Sequence, residues 1–335
     1  MNSTSLALPV LAGLIGVALI FDFLNGLHDA ANSIATVVST RVLPPRWAVA
    51  WASFFNFIAF LFFGLHVAGT VGTGIVSPEI TDARVVFGAL MGAICWNLIT
   101  WWAAIPSSSS HALIGGLVGS GVAKGGIGAI LWNGLGPTAL AIVFSPLLGL
   151  VLAMLLILIM SWTFVRSTPV FADRVFRRCQ LVSAAFYSLG HGSNDAQKTM
   201  GVIAVLLYSQ GLLGTEFSVP LWVVLSCQAA MALGTFAGGW RIVRTMGMKI
   251  THLKPMQGFC AETGGGCTLF LTAWLGIPVS TTHTITGGII GAGVARRLSA
   301  VRWGVAREIV IAWVLTMPAS ALLAALFYAA GGLVF

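Results

Sequence analysis

The chain has 335 residues, of which 58% are hydrophobic and 8% charged, and its mean hydropathy is +0.96. Soluble globular proteins carry about a quarter charged residues, so this composition excludes a soluble globular protein and indicates an integral membrane protein. The net charge of +8 comes from basic residues in short loops, which is typical of a membrane topology signal and not of a nucleic-acid-binding surface.

The first predicted element covers residues 7–40. No basic residue precedes its apolar run and no small-residue cleavage site follows it, so we expect a first membrane span and not a signal peptide. The segment is too long for one straight crossing, and we expect an interruption at "DFLNGLHD". Further apolar runs long enough to cross about 30 Å of hydrocarbon as helices lie at 47–69, 138–164, 217–240 and 308–330. Their hydrophobicity is continuous and does not alternate, which argues against a β-barrel.

Two parts of the chain repeat each other. Residues 87–123 and 259–295 align without a gap at an offset of 172, with sixteen identities in thirty-seven positions. A second pair, "NGLHDAAN" (25–32) and "HGSNDAQK" (191–198), aligns at an offset of 166. The chain is therefore predicted to be a tandem of two related halves.

The loop charges predict that these halves have opposite orientations in the membrane. Arg41 and Arg46 follow the first Asp motif, whereas the equivalent stretch of the second half, "YSQGLLGTEFS", has one acid and no base. Loop 70–84 carries two acids and one base, whereas its counterpart 241–258 carries four bases. Because cytoplasmic loops concentrate Lys and Arg, equivalent loops should face opposite sides, as in inverted-repeat transporters.

The predicted fold class is an all-α integral membrane protein. It has two inverted-topology repeats, with discontinuous helices or re-entrant hairpins meeting at the midplane. The first repeat is expected at 1–164 and the second at 181–335, joined by a cytoplasmic Arg-rich linker at 165–180. Both termini are then outside, and segments 87–123 and 259–295 each enter and leave on the same face as helical hairpins or broken re-entrant pairs.

Ionisable side chains within apolar surroundings are the first functional signal. The set is Asp22, Asp29, Asp195, Lys198 and Glu262. A charge in hydrocarbon costs at least about 2.5 kcal/mol, so such residues usually face a cavity and serve function. Asp29 and Asp195 are repeat-equivalent, and with Glu262 they are candidates to receive coupling cations. The alternative is that the acids pair structurally with Lys198 or with histidines.

The second signal is a pair of polar helix starts, "IPSSSSHALIGG" (105–116) and "IPVSTTHTITGG" (277–288). Pro favours the first helical turn and Ser or Thr the N-cap, so each stretch predicts a break followed by a new helix. A half-helix that begins within the membrane presents free N–H groups and a positive dipole end to an anion. The alternative is that the hydroxyls only cap a kink. The candidate substrate ligands are Ser108, Ser109, Ser110, Ser280, Thr281 and Thr282.

Many donors converging on one point suit a compact tetrahedral oxyanion such as phosphate or sulfate. No arginine is predicted in the membrane interior, so accompanying cations must supply part of the compensating charge. Moving one negative charge inward costs about 2.3 kcal/mol per 100 mV, which requires at least as many positive charges as the anion carries.

Four histidines adjoin these motifs. His28 and His191 flank the acids, and His111 and His283 lie about one turn into the half-helices. We expect them to hydrogen-bond the ligand-bearing residues and not to bind substrate directly, with a proton-relay role open for His28 or His191. No metal site is expected, because the spacing shows no ligand cluster.

"GLHDAANSIATVVSTRVLPP" and "HGSNDAQKTMGVIA" resemble the paired signatures of the inorganic phosphate transporter (PiT) family, and "QGFCAETGGG" followed by "LGIPVSTTHTITGG" resembles its second-half element. The resemblance extends over essentially the whole chain. It implies an inverted-repeat carrier that takes up inorganic phosphate with Na⁺ or H⁺. On matching positions it implies that Asn194 joins the hydroxyls as a substrate ligand, and it places cation coupling at Asp29, Asn32, Asp195, Lys198 and Glu262.

Two positions depart from the family pattern. His28 stands where the family often has Asn, and Lys198 stands where the first repeat keeps Asn32. An ammonium at a cation-coordinating position repels Na⁺ and can take its place. We therefore expect coupling to protons, or to fewer sodium ions than in Na⁺-driven relatives.

Three other functions are alternatives. A sulfate permease of the same family shares the geometry, but the nearby acids favour phosphate, which keeps a proton to donate near neutral pH. An intramembrane prenyltransferase-like enzyme is disfavoured because "NDAQK" lacks a second acid, and an anion channel leaves the symmetric acids unexplained. We expect no cofactor and no enzymatic activity. The expected partners are inorganic phosphate and membrane lipid, a homodimer is left open, and the expected location is the cell inner or plasma membrane.

Overall fold

The computed structural model describes residues 7–214 and 216–333. Within these ranges the chain is helical, and its only β-type pairing is an isolated bridge between Val76 and Ile130. The predicted all-α class is therefore confirmed. The α-helices of the described ranges are α1 (Leu8–Ser39), α2 (Pro45–Ile58), α3 (His66–Thr73), α4 (Ala83–Trp102), α5 (Ser109–Gly125), α6 (Trp132–Thr163), α7 (Pro169–Ser209), α8 (Leu221–Ala237), α9 (Trp240–Arg244), α10 (Pro255–Trp274), α11 (Thr281–Val294) and α12 (Trp303–Gly331).

Four of these helices, α1, α4, α6 and α12, are long and apolar enough to cross a membrane. Two bent pairs reach the same criterion together: α2 with α3, at an angle of 83°, and α8 with α9 and the π-helical turn after it, at 60°. The described part of the chain therefore has four helices, or up to six elements if each bent pair is one span, that could cross a membrane by length and composition.

The prediction of one continuous span at 47–69 is wrong, because α2 ends at Ile58 and α3 begins at His66. A side chain from a distant helix stabilises this break. The Gln197 amide oxygen on α7 accepts hydrogen bonds from the N–H groups of Val67 and Ala68, and its nitrogen donates to a carbonyl in the connecting turn. The start of α3 is thus capped by a tertiary contact, which the local sequence does not show.

The prediction of an interruption at "DFLNGLHD" is also wrong. α1 is continuous from Leu8 to Ser39, 32 residues, or about 48 Å at 1.5 Å per residue. Its polar side chains bond to neighbouring helices and leave the helical backbone bonds intact; Asn25 and Asp29, for example, both contact Ser109 of α5. A helix longer than the hydrocarbon core is accommodated by tilt or by projection beyond it.

The two expected hairpins are present as α4 with α5 and α10 with α11. The free ends of the first hairpin are joined by an ion pair between Lys124 and Asp82, with N···O of 2.6 Å. The free ends of the second are joined by the hydroxyl of Thr251, which donates to the carbonyl of Ala300 at 2.9 Å. Each hairpin therefore enters and leaves at one end of the molecule, as predicted.

The hairpins pack against the opposite half of the chain. α5 lies against α12 and α11 lies against α6. Both contacts depend on glycine: a Cβ on Gly119 would lie 2.1 Å from the carbonyl oxygen of Ala321, and one on Gly287 would lie 2.0 Å from that of Pro146. Glycine at these positions thus lets the helices of the two halves approach closely. The repeat boundaries stay a prediction, and α7 begins inside the expected linker, at Pro169.

Candidate functional site

The two polar helix starts form as predicted. Ser108 is the N-cap of α5 and its hydroxyl accepts from the N–H of His111 at 3.2 Å. Ser280 is the N-cap of α11 and its hydroxyl accepts from the N–H of His283 at 3.1 Å. All six candidate hydroxyl residues are buried. Two equivalent helix N-termini thus begin inside the protein, with hydroxyl groups around them.

Asp195 of α7 binds one hydroxyl from each hairpin. The Thr281 hydroxyl of α11 donates to Oδ2 at 2.8 Å, and the Ser110 hydroxyl of α5 lies 3.2 Å from Oδ1. The ammonium of Lys198 lies 2.5 Å from the same Oδ1. Since all of these side chains are buried, the carboxylate is compensated by protein groups alone.

Asp29 of α1 has the same arrangement. The Ser109 hydroxyl of α5 donates to Oδ2, and the Thr282 hydroxyl of α11 donates to Oδ1 at 3.3 Å. On its other side, Oδ1 lies 3.0 Å from Nδ1 of His28. The acids predicted from the repeat therefore each connect the two half-helix starts, although they come from different halves of the chain.

Asn32 and Lys198 are repeat-equivalent and occupy matching places. The Asn32 amide donates to the hydroxyls of Thr281 and Thr282 at 3.1 and 3.0 Å. Lys198 donates to Asp195, to Ser110 at 2.5 Å and to a backbone carbonyl, that of the residue before Ser280, at 2.7 Å. The ammonium uses its three N–H groups on three oxygens, which is the kind of environment a small cation would take.

The fold also brings together two carboxylates and a histidine, a group that was not visible in the sequence. One ligand atom from each of Asp29, His191 and Asp195 lies within 4.8 Å of the others, close enough to hold one cation. His191 is also bonded through Nδ1 to Ser33 and Asn56, at 3.3 and 3.2 Å. The expectation of no metal site rested on sequence spacing, and the fold assembles a group that spacing does not show. The expectation that the protein has no metal site stays a prediction.

Two predicted site residues lie outside the hydroxyl cluster. Glu262 accepts from the Gln180 amide at 2.9 Å and from the Ser183 hydroxyl. The Asn194 amide donates to the carbonyl oxygens of Gly190 and Leu269, at 3.2 and 3.1 Å. Within the described ranges, neither residue has a hydrogen bond to the cluster hydroxyls. Their roles in cation coupling and substrate binding stay predictions.

The four histidines separate into two kinds. His28 and His191 bond polar groups, as expected; Nε2 of His28 lies 3.1 Å from the Thr100 hydroxyl. His111 and His283 instead contact each other edge to face, with ring centroids 4.4 Å apart, and His283 stacks on Trp313 at 3.8 Å. Among the described residues, their ring nitrogens make no hydrogen bond to the hydroxyl cluster.

Sequence analysis missed three polar neighbours of the site: Asn25, Thr100 and Ser107. Asn25 contacts Ser109 at 2.6 Å, and the hydroxyls of Ser107 and Thr100 are 2.9 Å apart beside His28. Thr100 is identical to its repeat equivalent Thr272, so the repeat contained a signal for it, whereas Asn25 aligns with His191.

A wide cavity of about 1010 Å³ lies at the end of the molecule where α1 ends and α7 and α10 begin. Basic residues from separate parts of the chain line it, among them Arg41, Arg177, Arg244 and Lys254. These residues are distant in sequence, and the fold brings together at one end the bases that predicted a common side of the membrane.

A sequence model described as the phosphate transporter family matches residues 25–324. The chain belongs to the phosphate transporter family. A probable low-affinity inorganic phosphate transporter of Rhizobium meliloti is 71% identical over 330 residues, covering 98% of this chain and 99% of that relative. A relative of the same description from Bacillus subtilis is 42% identical over 313 residues, covering 93% of this chain and 94% of its own.

The fold agrees with the family. A solved structure named the sodium-dependent phosphate transporter superposes with a TM-score of 0.89 at 26% identity, covering 98% of this chain and 100% of that one. The resemblance to the phosphate transporter family is therefore confirmed, and the chain is a membrane protein of a transporter family and not an enzyme. The prenyltransferase-like alternative is set aside on this ground.

Proposed function

We propose that this member of the phosphate transporter family is a symporter that takes up inorganic phosphate together with cations by alternating access. The observation that carries the proposal is the crossed arrangement of acids and hydroxyls. Asp29 bonds Ser109 and Thr282, and Asp195 bonds Ser110 and Thr281. Hydroxyls that can donate hydrogen bonds to an anion and carboxylates that can bind a cation thus share one buried centre.

Phosphate is proposed to bind between the starts of α5 and α11. There the backbone N–H groups and the hydroxyls of both hairpins provide donors, and the two helix dipoles favour negative charge. The hydroxyls now donate to Asp29 and Asp195, so phosphate and the acids compete for the same hydrogens. A cation taken up by the acids removes this competition, which links cation binding to phosphate binding.

Alternating access follows from what the acids connect. Each carboxylate bonds one hydroxyl from each hairpin. These bonds hold the starts of α5 and α11 together in this conformation. Neutralising the acids weakens these charge-assisted bonds and allows one hairpin to move against the helices that carry the acids.

Lys198 determines the proposed coupling. Its ammonium already fills an oxygen-lined position beside Asp195, at 2.5 Å, where its repeat equivalent Asn32 has no charge. One of two equivalent acids is therefore compensated permanently by the protein. We propose coupling to protons, or to fewer sodium ions than in a carrier with two free acids.

The proposed location is the cell membrane, with both termini outside and the cavity lined by Arg41, Arg177, Arg244 and Lys254 facing the cytoplasm. Substrate released on that side would enter a basic cavity, which favours an anion.

The test is uptake of labelled phosphate into proteoliposomes that contain the purified protein, under an imposed pH gradient, an imposed Na⁺ gradient, both or neither. We expect a cation gradient to drive accumulation of phosphate, and we expect the pH gradient alone to be sufficient. Strict dependence on Na⁺ would contradict the proton version. Uptake that excess sulfate abolishes would favour a sulfate permease, and unsaturable flux would favour a channel. A Ser110→Ala/Thr281→Val double variant is the inactive control.

A further inference from the structure

Asp22 is a buried acid that the proposed site does not use. It lies in the interior of α1 with 0% of its surface exposed, and its Oδ2 has no hydrogen-bond partner in the described part of the chain. No Lys, Arg or His nitrogen of that part lies within ion-pair distance of it. An ionised carboxylate in this position would be an uncompensated buried charge, which is among the most costly arrangements in a protein.

Asp22 is connected to the site through two side chains. Its Oδ1 lies 3.5 Å from the Asn25 amide, and the other end of that amide lies 2.6 Å from the Ser109 hydroxyl. Ser109 in turn contacts Oδ2 of Asp29. The chain Asp22, Asn25, Ser109, Asp29 therefore runs from a carboxyl without a charged partner to an acid of the hydroxyl cluster.

If Asp22 is ionised, there are too few hydrogens to make every hydrogen bond from Asp22 through Asn25 and Ser109 to Asp29. The Asn25 nitrogen then faces Asp22, and its oxygen faces Ser109. The single hydroxyl hydrogen of Ser109 must serve two acceptors, Asn25 and Asp29, at once. With a proton on Asp22 and the amide turned over, Asp22 donates to Asn25, Asn25 to Ser109 and Ser109 to Asp29. Every contact then has one hydrogen.

The proton belongs on Asp22 and not on Asp29. Asp29 has donors in Ser109 and Thr282 and a histidine 3.0 Å away, so it is the better compensated carboxylate. Asp22 has only uncharged neighbours: the Asn25 amide at 3.5 Å, the Thr199 hydroxyl and the Cys227 thiol.

We propose that Asp22 binds the proton that is transported with phosphate, and that Asn25 and Ser109 connect this proton to the substrate site. The inference rests on the proposed cation-coupled transport and adds Asp22, as a carrier of a coupling proton, to the cation acceptors Asp29 and Asp195. One proton is taken up on the Asp22 carboxyl from the outer solution and released from it to the inner solution in each cycle. Because Ser109 belongs to the first hairpin, movement of that hairpin breaks the chain and separates the proton from the site.

The surroundings of Asp22 suit a proton better than a metal ion. The Cys227 thiol from α8 and the Thr199 hydroxyl from α7 lie beside it. A thiol is a poor ligand for Na⁺, which prefers several oxygens. The titratable and charged groups that face Asp22 are Cys227 and, from α7, Asp195 with its partner Lys198. None of them supplies a free positive charge.

The test compares wild type, Asp22→Asn and Asp22→Glu in proteoliposomes. Two quantities are measured: exchange of labelled for unlabelled phosphate at equal pH, and accumulation driven by a pH gradient. Asp22→Asn keeps the size and the neutral charge of the protonated acid. We expect it to retain exchange within about threefold of wild type and to lose the pH-driven accumulation, because every 1.4 kcal/mol of lost driving force lowers the accumulation ratio about tenfold. Asp22→Glu should retain both. Glu308→Gln, at an exposed acid of α12 away from the site and the basic cavity, is the control and should behave as wild type.

The outcomes separate this inference from the proposed function. If wild type shows no exchange at all, the proposed function fails. If exchange is present and Asp22→Asn still accumulates phosphate with the pH gradient, the inference is overturned. Loss of exchange in a folded Asp22→Asn protein also overturns it, because Asp22 would then serve phosphate binding. Infrared difference spectra of wild type and of Asp22→Asn provide a second measurement. A protonated-carboxyl band should be present in wild type and absent from Asp22→Asn.

Discussion

The ammonium of Lys198 lies 2.5 Å from the carboxylate of Asp195, and both side chains are buried. The repeat-equivalent pair is Asn32 and Asp29, in which the amide of Asn32 bonds hydroxyls of α11 and carries no charge. The two halves thus place equivalent acids in one cluster and compensate them differently. Asp195 is paired with the ammonium of Lys198, whereas the equivalent position beside Asp29 is the uncharged Asn32.

The first prediction removes the attached cation. In Lys198→Asn, Asp195 loses its charged partner, and an uncompensated buried carboxylate costs about 3–5 kcal/mol. We expect phosphate uptake by this variant to fall at least about tenfold in Na⁺-free medium and to recover in part when Na⁺ is added. Lys124→Asn, which breaks the surface pair with Asp82, is the control and should change neither value. Unchanged Na⁺-free uptake in Lys198→Asn would contradict the role of Lys198.

The second prediction concerns the hydroxyls that connect the hairpins. Ser110→Ala and Thr281→Val each remove one hydrogen bond to Asp195 and one donor for phosphate. Losing a hydrogen bond to a charged group costs about 1.5–3 kcal/mol, so the KM for phosphate should rise roughly ten- to a hundredfold.

Ser120→Ala is the matched control for the hydroxyl variants. Ser120 is buried in the same helix as Ser110, but in the described part of the chain its hydroxyl bonds only carbonyls of α5 itself, among them that of Gly116 at 2.8 Å. Its KM should stay at the wild-type value. If Ser120→Ala raises KM as much as Ser110→Ala does, the effect comes from helix α5 as a whole and not from the site.

The third prediction tests the glycine contacts between the two halves. A Cβ in Gly119→Ala would lie 2.1 Å from the carbonyl oxygen of Ala321, so α5 and α12 must separate. We expect a loss of about 1–3 kcal/mol in the free energy of unfolding, measured as a lower melting temperature in detergent. Gly16→Ala in α1 meets no atom within 4 Å and should be neutral or stabilising by about 0.5–1 kcal/mol. Equal melting temperatures for the two variants would contradict the packing argument.

The fourth prediction concerns orientation. Val165 and Ile127 are 75% and 70% exposed and lie in loops predicted to face opposite sides. On intact cells, a membrane-impermeant maleimide should label Ile127→Cys, and it should label Val165→Cys only after permeabilisation. The five native cysteines are present in both variants and in the parent protein, which is the background control. The reversed labelling pattern would show that both termini are inside.

Much of the site could be predicted from the repeat. Equivalent positions in two related halves identified Asp29, Asp195 and the hydroxyl residues, because inverted repeats bring equivalent positions to a common centre. The N-caps at Ser108 and Ser280 follow from local chemistry, since a Ser side chain satisfies free N–H groups of the first turn in any surroundings.

Other features could not be predicted, because they depend on partners distant in the chain. α1 stays helical through "DFLNGLHD" since Asn25 and Asp29 find a partner in α5. The break between α2 and α3 depends on Gln197, about 130 residues away. No local pattern reports such contacts.

The sequence alone determined the class of protein, the two related halves and the residue types of the site. These follow from hydropathy, from self-similarity and from the helix-start chemistry of Pro, Ser and Thr, which act over a few neighbouring residues. Tertiary structure alone decided which hydroxyl bonds which acid, that Lys198 compensates Asp195, and that Glu262 and Asn194 lie apart from the cluster. Hydrogen bonds and ion pairs act over about 3 Å, and only the packing of α1, α5, α7 and α11 brings these groups that close.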